Sequence, residues 1–114
     1  MMEIKRGDIF WVNFSKQKCS NEICKERPAI VVSNNTGNRF SSMVSVVPTT
    51  TQKKKLLPIH IEISGYGLPQ PSIVLAEQLV SIDKTALGRK IGSLAGTDDL
   101  RKIDRCLRIQ LGVA

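Results

Sequence analysis

The apolar residues of this chain come in short runs broken by turn signals as far as Thr97, and only beyond it do they settle onto one face of a helix. That pattern leaves few folds open. Several short strands must bury one another, and one terminal helix must cover the face they leave exposed. Two runs, Ala29-Ile30-Val31-Val32-Ser33 and Met43-Val44-Ser45-Val46-Val47-Pro48, read as strands buried on both faces. Asp8–Phe14 reads as the first strand, because Val, Ile, Phe and Trp favour extended backbone. Trp11 and Phe40 are expected in the core. Pro58–Ile63 alternates, with Ile59, Ile61 and Ile63 on one face and His60 and Glu62 on a solvated one. Ser72–Val80 is a further strand, bent near its middle. Ser81–Lys84 starts a short helix ending by Gly88, and Lys90–Leu94 fits either class. Asn34–Asn38 is a turn followed by a helical turn through Arg39 and Phe40. The last helix has Thr97 as its N-cap, Asp98 and Asp99 at its positive end, and Leu100, Ile103, Leu107 and Leu111 on one face. Arg101, Lys102, Arg105 and Arg108 lie on its solvated side. The expectation is a mainly β (α+β) chain: a small barrel or curled sheet with a C-terminal helix packed on it.

At 114 residues the chain is one domain, residues 1–114. Its net charge of +7 is unevenly placed. Ten bases and four acids lie at or before Lys55, against seven bases and six acids after it. A basic half suits a polyanion, through phosphate neutralisation and counterion release. Ser15–Arg27 is polar and patternless, a loop of the length that compact domains keep for function. The three cysteines Cys19, Cys24 and Cys106 are an odd number, which argues against a disulfide framework. One histidine and three scattered cysteines do not supply two close pairs of zinc ligands, so no metal is expected. No apolar run approaches the roughly 20 residues of a membrane span. Lys5, Arg6 and Asp8 interrupt any signal peptide, so a cytoplasmic location is expected.

Five segments in order resemble the MazF/PemK/Kid family of type II toxin–antitoxin endoribonucleases. They are Lys5-Arg6-Gly7-Asp8-Ile9-Phe10-Trp11-Val12, Arg27-Pro28-Ala29-Ile30-Val31-Val32-Ser33, the turn with Asn34, Gly37, Asn38, Arg39 and Phe40, Val47-Pro48-Thr49-Thr50-Thr51-Gln52, and Leu75-Ala76-Glu77-Gln78-Leu79-Val80-Ser81-Ile82. Singly each is weak, but five in register are specific. The resemblance implies an SH3-like β-barrel with short helices and a C-terminal helix. It implies a homodimer, no cofactor, a cognate antitoxin of the MazE kind lying across the RNA groove, and cleavage of single-stranded RNA (mRNA) in a sequence-specific manner. One stretch departs from the family. Cys19–Glu26 keeps Glu22 five residues before Arg27 but lacks the family's Gln and Gly, which puts the sequence preference in doubt.

The resemblance places the family's catalytic arginine at Arg27 and its threonine at Thr50. The chemistry it implies is attack by the RNA's own 2′-OH on the neighbouring phosphorus, leaving a 2′,3′-cyclic phosphate and a 5′-OH. A guanidinium matches a phosphate with a planar fork of donors, and a threonine hydroxyl can donate to a phosphate oxygen. Thr49 and Thr51 point away from the face Thr50 uses on an extended strand. Glu22 is a supporting residue, with orienting Arg27, accepting the 2′-OH proton and reading a base edge as its open roles. Asn34, Asn38, Gln52, Glu77 and Gln78 are candidates to bond exposed base edges, and Lys53 to meet a phosphate. Phe14 is the stacking candidate. Two other readings stay open: a non-enzymatic gyrase poison of the CcdB type, and a plain SH3-like module that binds RNA without cutting it.

Overall fold

The computed structural model describes residues 3–14 and 26–113, so Glu22, Cys19 and Cys24 lie outside the described residues. Seven strands are present: β1 (Asp8–Asn13), β2 (Glu26–Val31), β3 (Met43–Thr50), β4 (His60–Ile63), β5 (Ser72–Leu75), β6 (Val80–Asp83) and β7 (Leu87–Ser93). Helix α1 (Asn35–Phe40) joins β2 to β3, and helix α2 (Asp98–Leu111) follows β7. All pairings are antiparallel, in the order β4-β5-β3-β2-β1-β7, with β6 also on β3. The long β3 therefore serves two ladders. Met43–Val46 pairs with β6, while Thr49 and Thr50 pair with β5.

The strands β1, β2, β3, β6 and β7 curl into a loose barrel whose sheet stays open between β6 and β7. β6 runs into β7 through a 3₁₀ turn at Lys84–Ala86 instead of pairing with it along a ladder. Its interior holds Phe10, Val12, Phe14, Ala29, Val31, Val44, Val46, Ile82 and Leu87. The opposite face of the same strands carries Ile9, Ile30 and Val47, which pack with β4 and β5 and with Ile103, Cys106 and Leu107 of α2. Burial on both faces is why the β2 and β3 segments are apolar without alternation. In α2, Thr97 accepts from the Leu100 N–H at 3.2 Å and Gly112 ends the helix in the left-handed conformation. Arg6 ties this helix to the start of the chain, bonding the Val32 carbonyl at 2.9 Å and pairing with Asp104. Burial pushes the Cys106 thiol pKa up.

Three expectations need correction, and the open reading of Lys90–Leu94 is settled as strand. The segment after Val80 is not a helix from Ser81. β6 continues to Asp83, whose side chain caps the short 3₁₀ turn through the Thr85 N–H. Residues 87–93 form β7, because β1 still needs a partner on its open edge. His60 is buried, not solvated: its ring accepts from the Leu57 N–H at 3.1 Å and meets Glu77 at 2.9 Å. Phe40 is 77% exposed at the end of a helix too short to bury it, with the Arg39 guanidinium over its ring.

The loop between β4 and β5 lies against β7 backbone to backbone. A Cβ on Gly92 would overlap the Tyr66 carbonyl oxygen, and one on Gly67 would lie 2.5 Å from the Ile91 carbonyl oxygen. Tyr66 itself takes a positive φ and donates its phenol to Asp99 at 2.7 Å, which holds the phenol pKa above its ordinary value. Gly92→Ala must force loop and strand apart. It is expected to destabilise by about 3 kcal/mol. Gly96→Ala, which meets only the strain of its positive φ with nothing within 4 Å, should lose about 1 kcal/mol. Urea unfolding of the two variants checks the difference, and equal losses would mean that the close approach is absent.

Candidate active site

The register of β2 on β3 pairs Val31 with Val46, Ile30 with Val47 and Ala29 with Pro48. Two residues further along the same register, Arg27 stands across from Thr50 at the end of the ladder. Directly opposed residues of an antiparallel pair project to the same face. Proline cannot donate a backbone N–H, and here side chains supply bonds beside Pro28. Thr49 Oγ1 donates to the Pro28 carbonyl at 2.8 Å, and Arg27 Nη1 donates to the Thr49 carbonyl at 3.4 Å. These bonds hold the guanidinium at the mouth of the barrel.

A cleft of about 340 Å³ opens there. Arg27, Pro28 and Glu26 line it from β2, Thr49 and Thr50 from β3, and Trp11 from β1. Thr51 and Gln52 extend the β3 wall, and Pro69, Gln70 and Ser72 form the far side. The Thr50 hydroxyl accepts from the Gln52 N–H at 3.2 Å, which leaves its own O–H to donate into the cleft. The Thr49 hydroxyl is committed to Pro28, as its opposite orientation requires. The site therefore offers a charged fork and a neutral donor side by side, in a partly enclosed place. That combination suits a substrate carrying a phosphodiester.

The structure brings together Arg27, Thr50 and Gln52 among the candidates from sequence. Lys53 follows Gln52 on the exposed stretch just outside. Phe14 needs correction: its ring is wholly buried in the barrel, because Phe14 follows β1 on the face of Phe10 and Val12. Asn38 is also buried, donating to the Ser33 carbonyl at 2.8 Å and bonded to the Ser33 hydroxyl. Asn34 is engaged as the N-cap of α1, accepting from Gly37 at 2.7 Å. Glu77 faces His60, and Gln78 beside it has a buried side-chain oxygen with no hydrogen-bond partner among the described residues; neither lines the cleft. Glu26, Gln70 and Ser72 were missed, and Trp11, expected in the core, is instead half-buried on the cleft wall. Trp11 could have been found by counting alternation from Phe10 and Val12, which places it on the opposite face from both.

Among the described residues, no group of three or more His, Cys, Asp or Glu could hold a metal ion, and no helix is long and apolar enough to cross a membrane.

Residues 5–111 match the sequence profile described as PemK-like, MazF-like toxin of type II toxin-antitoxin system, and the chain belongs to that family. It is 38% identical over 117 aligned residues to Endoribonuclease EndoA of Bacillus subtilis (strain 168), covering 98% of this chain and 97% of that one. The crystal structure of MazF (Form-I) from Deinococcus radiodurans superposes with a TM-score of 0.83 at 23% identity, over 99% of this chain and all of the other. An endoribonuclease in complex with its cognate antitoxin, from a mycobacterial species, gives a TM-score of 0.77 at 24% identity over 100% and 98% of the two chains. At these identities the two structures speak for the fold.

Phe14→Ala is expected to cost about 3–5 kcal/mol of stability, the usual loss for a large ring removed from a core. Thermal unfolding checks it. A variant as stable as the parent would return Phe14 to the surface.

Proposed function

We propose that this toxin is an endoribonuclease that cuts single-stranded RNA without a metal, using the substrate's 2′-OH as nucleophile. The observation that carries the reading is the joint presence of Arg27 and Thr50 in one cleft. The relative from Bacillus subtilis, named as an endoribonuclease, supports the same reaction class. Bound across the cleft, the RNA would have one phosphate between the guanidinium and the Thr50 hydroxyl. As the 2′-oxygen attacks in line, negative charge grows on the non-bridging oxygens. Two donors already in place stabilise that charge without reorganising, and holding the 2′-OH in line removes much of the entropic barrier. A guanidinium does not give up its proton in a protein, so Arg27 acts as an electrophile and not as a base. The 2′-OH proton goes to a carboxylate. Glu26 lines the cleft, and Glu22 is the other candidate. As the 2′-O–P bond forms the P–O5′ bond breaks, and the leaving 5′-oxygen takes a proton from water, so the products are a 2′,3′-cyclic phosphate and a 5′-OH.

The working unit is a homodimer in the cytoplasm, held inactive by a cognate antitoxin segment that occupies the same cleft. The mycobacterial neighbour, a complex of an endoribonuclease with its antitoxin, supports that partnership. Gln52 reads a base edge and Lys53 meets a phosphate at the cleft's margin.

Incubation of the protein with a long RNA in EDTA, followed by mapping of the new 5′-OH ends, tests the reading. Cuts with cyclic-phosphate ends are expected. RNA that is retarded but intact would leave a binding module, and intact RNA with gyrase inhibition would leave a poison of another kind. Arg27→Ala is expected to abolish cleavage while preserving the folded circular-dichroism spectrum. Thr50→Val should slow cleavage by roughly ten- to a thousandfold, the scale of one lost transition-state donor. Wild-type rates in both variants would place the chemistry elsewhere.

A further inference from the structure

Two residues of the cleft have no part in the reaction described above. Trp11, the sole tryptophan of the chain, lies half-buried on its β1 wall. Gln70 is exposed on the far side, from the loop between β4 and β5. Resting on the ribonuclease reading, we infer that they form a base pocket beside the scissile phosphate. The Trp11 indole is the stacking face, and the Gln70 carboxamide reads the edge of the stacked base.

The loop has the rigidity a reader needs. Gln70 stands between Pro69 and Pro71, whose rings fix backbone torsions on either side of it. Its carbonyl accepts from the Ser72 hydroxyl at 3.0 Å, and Ser72 is itself buried at the start of β5. One turn earlier, Leu68 N–H bonds the Gly65 carbonyl at 2.9 Å, and the Tyr66–Gly67 backbone lies against β7. The loop tip is thus anchored at both ends, so the glutamine is presented with little entropy left to lose. Trp11 is equally fixed. It pairs with Pro28 across the sheet, and Gly88 allows β7 to approach so closely that a Cβ there would lie 3.0 Å from the Trp11 carbonyl oxygen.

Single-stranded RNA is read by splaying out a base, stacking it on an aromatic ring and bonding its edge. A carboxamide offers one donor and one acceptor side by side, and the exposed edge of a splayed base offers the complementary pair. The pocket therefore reads the base at one position next to the cut. Arg27 and Thr50 engage the backbone, which is the same for every nucleotide. They cannot supply that choice.

The test uses the whole protein and an RNA oligonucleotide spanning its mapped cleavage site, made uncleavable by a 2′-deoxy group at the scissile nucleotide. Binding should quench the emission of Trp11 in the wild type and in Gln70→Ala alike. End-mapping of a random RNA pool should show that Gln70→Ala loses its base preference at one position by roughly ten- to a hundredfold, with the other positions kept. Unquenched emission at saturation, or a Gln70→Ala motif identical to that of the wild type, overturns the pocket while leaving the nuclease intact. A wild type that binds and quenches but never cuts the all-ribose RNA overturns the nuclease and leaves the pocket.

Discussion

The alignment of β2 on β3 governs everything else in the molecule. Both strands are buried on both faces, so their register is fixed twice: once by the barrel interior and once by the helix side. A slip of one residue would carry Ala29 and Val31 out of the interior and push Ile30 in, at the cost of both cores at once. The register that satisfies both cores also sets Arg27 opposite Thr50. Geometry at the mouth is therefore inherited from packing in the middle, and the two polar groups need few contacts of their own to stay together.

Proline finishes this arrangement. A regular ladder running to the end of β2 would engage the Thr49 carbonyl and leave the threonine hydroxyl idle. Pro28 has no N–H to give, so the Thr49 carbonyl is met by the Arg27 guanidinium and the Pro28 carbonyl by the Thr49 hydroxyl. Missing backbone donors thus become a reason for side chains to gather. The cleft opens where the sheet can no longer pair with itself.

Much of this was legible in the residues. The continuous apolar runs around Ile30 and Val46 announced strands with two buried faces, and the capping residues of the last helix gave its start to the residue. Arg27 and Thr50 were found through resemblance, since neither an arginine before a proline nor a run of threonines signals chemistry on its own. The misplacements of His60 and Phe14 share one cause: local pattern says which side of a strand a residue takes, but not which side is covered. Alternation set His60 apart from its isoleucines, yet both sides of that strand's beginning are enclosed, by the Leu57 turn and by Glu77. Phe14 looked exposed because a polar loop follows it, although its side is set by Phe10 and Val12. The segment after Val80 could not be read as a strand, because its partner, the start of β3, lies far away in the chain.

The way the β4–β5 loop is attached has an evolutionary consequence. Its grip on β7 runs through main-chain atoms at Tyr66, Gly67, Ile91 and Gly92, none of which belongs to the tip. A mutation at the tip alters what is displayed without loosening the mount. Paralogues can then diverge in target by changing the side chain at residue 70, while selection on the frame holds the flanking prolines, the barrel, the guanidinium and the hydroxyl unchanged.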